Sequence, residues 1–242
     1  MEVKAKHSNE KVDIYLYGDI VGSERAKSSE DEEKTAPLQI KRALDDAKGK
    51  DVNLYINSGG GSAFGGQTIS SLIKRYEGKT SAFIDGLCAS AATMIAMAAD
   101  DVYMSDNAVF MYHQAWAGFW DYGNAKVLKE KVDEVCRMLE AVNESMLSEY
   151  KNYISDEVKF KKVENNFNGG KDTWLAADEA KDIFGFKSYK SESETLFAKS
   201  EFLEIPAEFV KNKQALNSDY DSKANTEQSS SKIKEEYFMF DF

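Results

Sequence analysis

A strand pattern that runs straight into a cluster of glycines does most to limit what this chain can fold into. Residues 51–57, DVNLYIN, read as a β-strand. The next nine residues, SGGGSAFGG, suit no regular element, because glycine gives up the most conformational freedom when it is ordered. A helix follows, with Ile69, Leu72, Ile73 and Tyr76 on one face and Gly78 as its stop signal. The same alternation recurs along the chain. Val12, Ile14 and Leu16 alternate with Asp13, Tyr15 and Tyr17, a strand ending at Gly18. Residues 80–84 form a short strand closed by Asp85-Gly86, and ASAATMIAMAAD is apolar on all sides, hence a buried helix. Residues 102–104 and 109–112 are two further strands. Strands alternating with helices predict a layered α/β fold with a largely parallel sheet.

Other segments fill in the frame. Residues 23–35 are polar and highly charged and read as a mobile loop. Thr35 is placed to cap a helix carrying Pro37 in its first turn and Leu38 and Leu44 as apolar positions. Residues 124–154 read as one long helix, with Val127, Leu128, Val132, Val135, Leu139, Val142, Met146 and Leu147 at three- and four-residue steps. That is about twice the usual helix length, so it projects unless another surface covers it. Ser155 is placed to cap a further helix, Gly169-Gly170 breaks the chain, and residues 176–184 read as a short helix. Residues 1–190 are therefore expected to form one domain. Residues 191–242, with 11 acids and 6 bases, read as an acidic, partly disordered extension. Its aromatic end, Tyr237 to Phe242, reads either as a sticky terminus or as a docking peptide.

Composition removes several function classes. Acids outnumber bases by 42 to 31, for a net charge of −11, which argues against a nucleic-acid groove built from clustered Lys and Arg. No apolar run reaches 18 residues and the first residues lack an apolar signal core, so neither a membrane span nor secretion is expected. Cys88 and Cys136 make no disulfide framework, and a reducing cytoplasm follows as the expected compartment. Two His and two Cys also argue against a zinc site.

Four features could carry chemistry. Glycines 59–61 after a strand leave backbone N–H groups open to a ligand, either a phosphate or an oxyanion. No Walker A lysine follows, and the spacing is not a dinucleotide fingerprint. Ser90 opens the Ala-rich helix, where unsatisfied N–H groups would assist an attacking oxygen, although serine in such a helix also serves for packing. His113 follows a strand and would point out of the sheet as a general base. Asp172 follows the glycine break, ahead of a predicted helix, and could orient His113. Each falls at a strand end or a helix start, where layered α/β folds collect their active sites. No Gly-x-Ser-x-Gly elbow is present.

These segments resemble the Clp protease proteolytic subunit family. LYINSGGGSAFGG resembles its Ile-Asn-Ser-Pro-Gly-Gly turn, and GLCASAATMIAMAA its Gly-x-Ala-Ala-Ser segment. VFMYHQAWAG resembles its Met-Ile-His-Gln-Pro segment, and KDTWLAADEAKDIFGF its Asp-containing segment. The resemblance spans residues 12–189. It implies a ClpP/crotonase-like layered α/β fold with a projecting handle helix at about residues 124–154. It also implies a serine endopeptidase with Ser90 as nucleophile, His113 as base, Asp172 as acid, and Gly61 and Ala91 as oxyanion donors. No metal or organic cofactor is implied. The expected assembly is a homo-oligomer, a heptameric ring or double ring acting on protein or peptide substrates. An AAA+ chaperone and phage capsid proteins are the candidate partners. Gly59 in place of the family's Pro, Ala91 in place of Met, the acidic loop and the tail resemble the phage and prophage head-maturation branch. Two other classes compete: a crotonase-like acyl-CoA enzyme, and a non-catalytic ring or scaffold component.

Overall fold

The computed structural model describes residues 5–7, 11–26 and 34–189. Residues 27–33, the extension from residue 190 and the side chain of His7 lie outside the described residues.

The sheet is built around β1 (Ala5–His7), β2 (Lys11–Tyr17) and β5 (Asp51–Ser58), with β3 (Asp19–Ile20) and β4 (Lys34–Thr35) forming a small parallel pair beside it. It continues through β6 (Thr80–Ala89), β7 (Asp101–Ser105), β8 (Val109–Tyr112), β9 (Thr173–Ala176) and β10 (Lys187–Tyr189). The path runs β1-β2-β5-β6-β7-β10, with β8 paired to the far half of β6 and β9 paired to β8. Pairing is parallel except for β1 with β2 and β8 with β9. The layered, mostly parallel sheet expected from the sequence is therefore present.

One face of the sheet is sealed by apolar side chains. Val12, Ile14, Leu16, Val52, Leu54, Ile56, Ala82 and Ile84 are all at most 2% exposed. They pack in one core with α1 (Pro37–Ala47), α2 (Ala63–Lys74) and α3 (Ala91–Ala96). The other face is half-buried and carries a row of stacked rings, Tyr15, Tyr55, Phe83 and Tyr103, with centroids 4.9–5.2 Å apart. These residues are register partners on neighbouring strands, which is why the rings meet.

α4 (Ala125–Tyr153) is the long helix, capped by Asn124, whose side chain accepts from the amides of Lys126 and Val127. Between residues 125 and 141 no side chain is fully buried, although Leu128, Val135, Met138 and Leu139 are half-buried. On its last turns Leu147 and Tyr153 pack against the core, and Val142, Met146 and Tyr150 are buried in it. Each such side chain contributes about 1.5–3 kcal/mol by leaving water. An ion pair from Lys74 of α2 to Glu149 joins them.

Several local expectations are corrected. The cap of α1 is Ala36 rather than Thr35: Thr35 lies in β4, and the Ala36 amide is satisfied by Gln39 Oε1 at 2.9 Å. Residues 24–26 form a 3-10 turn rather than loop. The second half of the glycine segment is helical, because Ser62 caps α2 by accepting from Gly65 N at 3.1 Å. Asp85-Gly86 does not close β6. It forms a bulge, and the strand resumes beside β8. Asp156, not Ser155, caps α5 (Glu157–Asn168), because its carboxylate reaches the amides of Val158 and Lys159. Asp172 precedes the strand β9, which leads into α6 (Ala177–Phe184), rather than preceding a helix directly.

Candidate active site

The site grows out of the far half of β6. The bulge at Asp85-Gly86 turns the strand from β7 toward β8, and Asn57 holds it there. Its Oδ1 accepts from Leu87 N at 3.0 Å. A Cβ on Gly86 would lie 2.9 Å from that same oxygen, so only glycine admits the contact. Asn57 is 5% exposed. It sits in the INSGG motif, yet sequence reasoning did not single it out.

Beyond the bulge, Ala89 is the register partner of Met111, and the Ser90 amide donates to the Met111 carbonyl at 2.9 Å. That bond fixes where β6 ends. Ser90 then turns the chain into α3 with φ 53° and ψ −123°. A side chain rarely adopts a positive φ, and holding one there costs on the order of 1–3 kcal/mol. The surroundings hold it: the Ser90 carbonyl accepts from Thr93 N at 3.0 Å and from Thr93 Oγ1 at 2.7 Å.

Strand register also brings the other two residues together. β8 and β9 are antiparallel, with Tyr112 opposite Thr173. One step further along each strand puts His113 opposite Asp172. His113 Nδ1 lies 3.2 Å from Asp172 Oδ1, and His113 Nε2 lies 2.7 Å from Ser90 Oγ. With Nδ1–H directed at the carboxylate, Nε2 is left to accept from the Ser90 hydroxyl. The His113 side chain is 14% exposed, whereas that of Asp172 is 59% exposed. The chain just past His113 is pinned to α4, because Ala115 N donates to Asn143 Oδ1 at 2.7 Å.

The glycine turn closes against the same point. Gly60 has φ 96°, and a Cβ there would lie 2.7 Å from both Ala89 O and Ser90 Cβ and 3.0 Å from Ala91 N. Gly61 has φ 126° and bridges Ile20 in parallel fashion. The bridge uses the bonds Ile20 N to Gly60 O and Ser62 N to Ile20 O. In a parallel pair this leaves the Gly61 N–H turned away from Ile20. Gly66 of α2 packs as closely, since its Cβ would lie 2.9 Å from Ala91 O. Gly66 thus lets α2 approach α3, while Gly65 admits the backbone of Val21.

Ser90, His113 and Asp172 therefore lie in one row of polar contacts, a hydrogen bond from Ser90 to His113 and an ion-pair distance from His113 to Asp172, with the glycine turn beside Ser90 and Ala91. Sequence reasoning flagged Gly60 only as one of the glycines 59–61, gave Asn57 no role of its own, and missed Thr93, Asn143 and Tyr150. Burial pushes the Cys88 thiol well above its usual range, so it stays protonated and is no competing nucleophile. Among the described residues, no three His, Cys, Asp or Glu side chains are grouped to hold a metal. No helix among them is long and apolar enough to cross a membrane.

Several known proteins are similar to this chain. The family model described as Clp protease matches residues 26–186. ATP-dependent Clp protease proteolytic subunit 1 of Leifsonia xyli subsp. xyli is 30% identical over 159 residues, covering 64% of this chain and 74% of that protein. Proteolytic subunit 3 of Rhizobium etli is 29% identical over 142 residues, covering 58% and 68%. The structure of a ClpP1 variant from Listeria monocytogenes superposes with a TM-score of 0.55 at 21% identity, covering 74% of this chain and 92% of that one. That likeness shows the fold. The family match, extending from the end of the 3-10 turn at residues 24–26 to just past α6, shows that this chain belongs to the Clp protease family.

Proposed function

We propose that the protein is a serine endopeptidase in which Ser90, His113 and Asp172 act as one proton-handling unit. The observation that carries this reading is the continuous contact from Ser90 Oγ to His113 Nε2 at 2.7 Å and from His113 Nδ1 to Asp172 Oδ1 at 3.2 Å.

Ser90 Oγ attacks the scissile carbonyl carbon while His113 Nε2 takes its proton. Asp172 holds the imidazole in the required tautomer and stabilises the imidazolium. The carbonyl oxygen becomes an oxyanion and accepts hydrogen bonds from the amides of Gly61 and Ala91. Collapse breaks the C–N bond, and His113 returns its proton to the leaving amine. A water, deprotonated by His113, then attacks the acyl-Ser90 ester. The carboxylic product leaves and Ser90 regains its proton. These steps balance with water alone as co-reactant.

The assembly follows from α4. A helix with no fully buried residue over its first 17 positions, and with Val127 and Val132 exposed, gains most by pairing with a second copy. In this reading residues 1–190 form the peptidase domain of a cytoplasmic ring-shaped homo-oligomer, and residues 191–242 are an extension. The substrate is protein or peptide. A phage role in capsid maturation and feeding by an AAA+ chaperone are the two settings the chain's departures from the family leave open.

Ser90→Ala is expected to abolish cleavage of a fluorogenic peptide while circular dichroism and thermal midpoint stay close to wild type. Full peptidase activity in that variant would refute the proposal.

A further inference from the structure

Two buried hydroxyls have no part in the proton chemistry above. Thr93 and Tyr150 are both 0% exposed. Thr93 is the one polar side chain in α3, whose other residues are Ala91, Ala92, Met94, Ile95 and Ala96. Tyr150 sits near the end of α4, its ring packed edge-on against Tyr112, Phe167 and Phe184. Burying a hydroxyl costs about 1–3 kcal/mol unless it is hydrogen-bonded. Valine and phenylalanine would fill the same space without that cost.

The hydroxyls bond in one direction. Thr93 Oγ1 donates to the Ser90 carbonyl at 2.7 Å. Its proton is then committed, so the 3.0 Å contact with the Tyr150 hydroxyl has Tyr150 as donor. Burial keeps the Tyr150 phenol protonated, since it raises that group far above its usual range. The Ser90 carbonyl already accepts the Thr93 amide, so the Oγ1 bond is a second hold on the same oxygen.

That oxygen matters because of what shares its peptide plane. The Ser90 carbonyl and the Ala91 N–H belong to one rigid trans unit. Fixing the carbonyl fixes the direction of the amide. The unit follows a residue at φ 53°, where the backbone would relax if released.

We propose that Thr93 and Tyr150 are positioning residues: a buried relay from α4 through α3 that locks the Ser90–Ala91 peptide plane and so aims the Ala91 N–H at the oxyanion. This rests on the serine-peptidase reading above. It gives α4, whose first half lies away from the core, a direct hold on the site.

The test uses the full chain in its native assembly. Active sites are titrated with a fluorophosphonate, and kcat and KM are measured on a fluorogenic peptide per titrated site. Removing an oxyanion donor outright costs about 100- to 1,000-fold in kcat. Misaiming one costs less, so Thr93→Val is expected to lower kcat about 10-fold with KM changed less than about 2-fold. Thr93→Ser should restore kcat to within about 2-fold of wild type, and Tyr150→Phe should lower it about 3-fold. Because Tyr150 acts through Thr93, the double variant should be no worse than Thr93→Val. A purely structural role would lower the thermal midpoint and the titrated fraction and leave kcat per site unchanged. That result, or multiplicative effects in the double variant, overturns the inference. If Thr93→Val does not fold, Tyr150→Phe decides: unchanged kcat per site overturns it. Failure of wild-type protein to react with the probe is the separate outcome that sinks the peptidase reading, and this inference with it.

Discussion

Ser90 and Asp172 stand at opposite ends of one row of polar contacts through His113, and the fold holds them in opposite ways. Ser90 is fixed from every side. Its amide is bonded to β8, its carbonyl is bonded twice to Thr93, and Gly60 lies against its Cβ. Asp172 stands in a loop between Gly169-Gly170 and β9, with 59% of its side chain in water. Ser90, itself half-buried, is preorganised by backbone hydrogen bonds and close packing, whereas Asp172 is placed by strand register. A preorganised group acts in a low dielectric, where each hydrogen bond counts for more. A solvated carboxylate is screened and contributes less. The two ends should therefore respond very differently to small substitutions.

The largest effect is expected at Gly60. An alanine there would put its Cβ 2.7 Å from both Ala89 O and Ser90 Cβ, at a φ of 96°. Backbone must move, and the turn and Ser90 would separate. Gly60→Ala is expected to reduce kcat/KM by more than about 100-fold, as for a lost oxyanion donor, and to destabilise the fold by about 1–3 kcal/mol. Peptide hydrolysis and a denaturant melt check both. Near-wild-type activity would mean that the Ser90 end is looser than described.

A smaller effect is expected at Asp172. In proteases with a buried acid, conversion to the amide costs about 10,000-fold. A carboxylate this exposed should be worth less, and Asp172→Asn is expected to lower kcat by about 10- to 100-fold with KM little changed. A loss approaching 10,000-fold would show that Asp172 is buried in the working assembly. That would sharpen the comparison by adding a partner protomer to the exposed end.

The sequence made the layered fold legible because strands β2, β5 and β6 and the helices between them carry strong periodic patterns. The handle helix was legible for the same reason. The short edge strands were not. β3, β4, β9 and β10 run two to four residues, too short for alternation to emerge, and they exist because a neighbouring strand pairs with them. Caps were misplaced by one residue at Thr35 and Ser155, since neighbouring Ala36 and Asp156 compete for the same turn and only the fold decides.

At the site, residue types were legible and their neighbourhood was not. Nothing local says that the residue before Thr173 faces the residue after Tyr112. That follows from the β8–β9 register. Gly60 was hidden inside a glycine run where any member could be the close contact. The Thr93–Tyr150 pair was hidden because the two residues are 57 positions apart. In each helix one hydroxyl or phenol looks like ordinary packing.

The most direct test of the account is to treat the assembled protein with a fluorophosphonate and locate the adduct by peptide mass spectrometry. One modified site is expected, Ser90, with labelling lost when His113 is replaced by Ala. An adduct on any other serine, or none on protein that cleaves peptides, would contradict it.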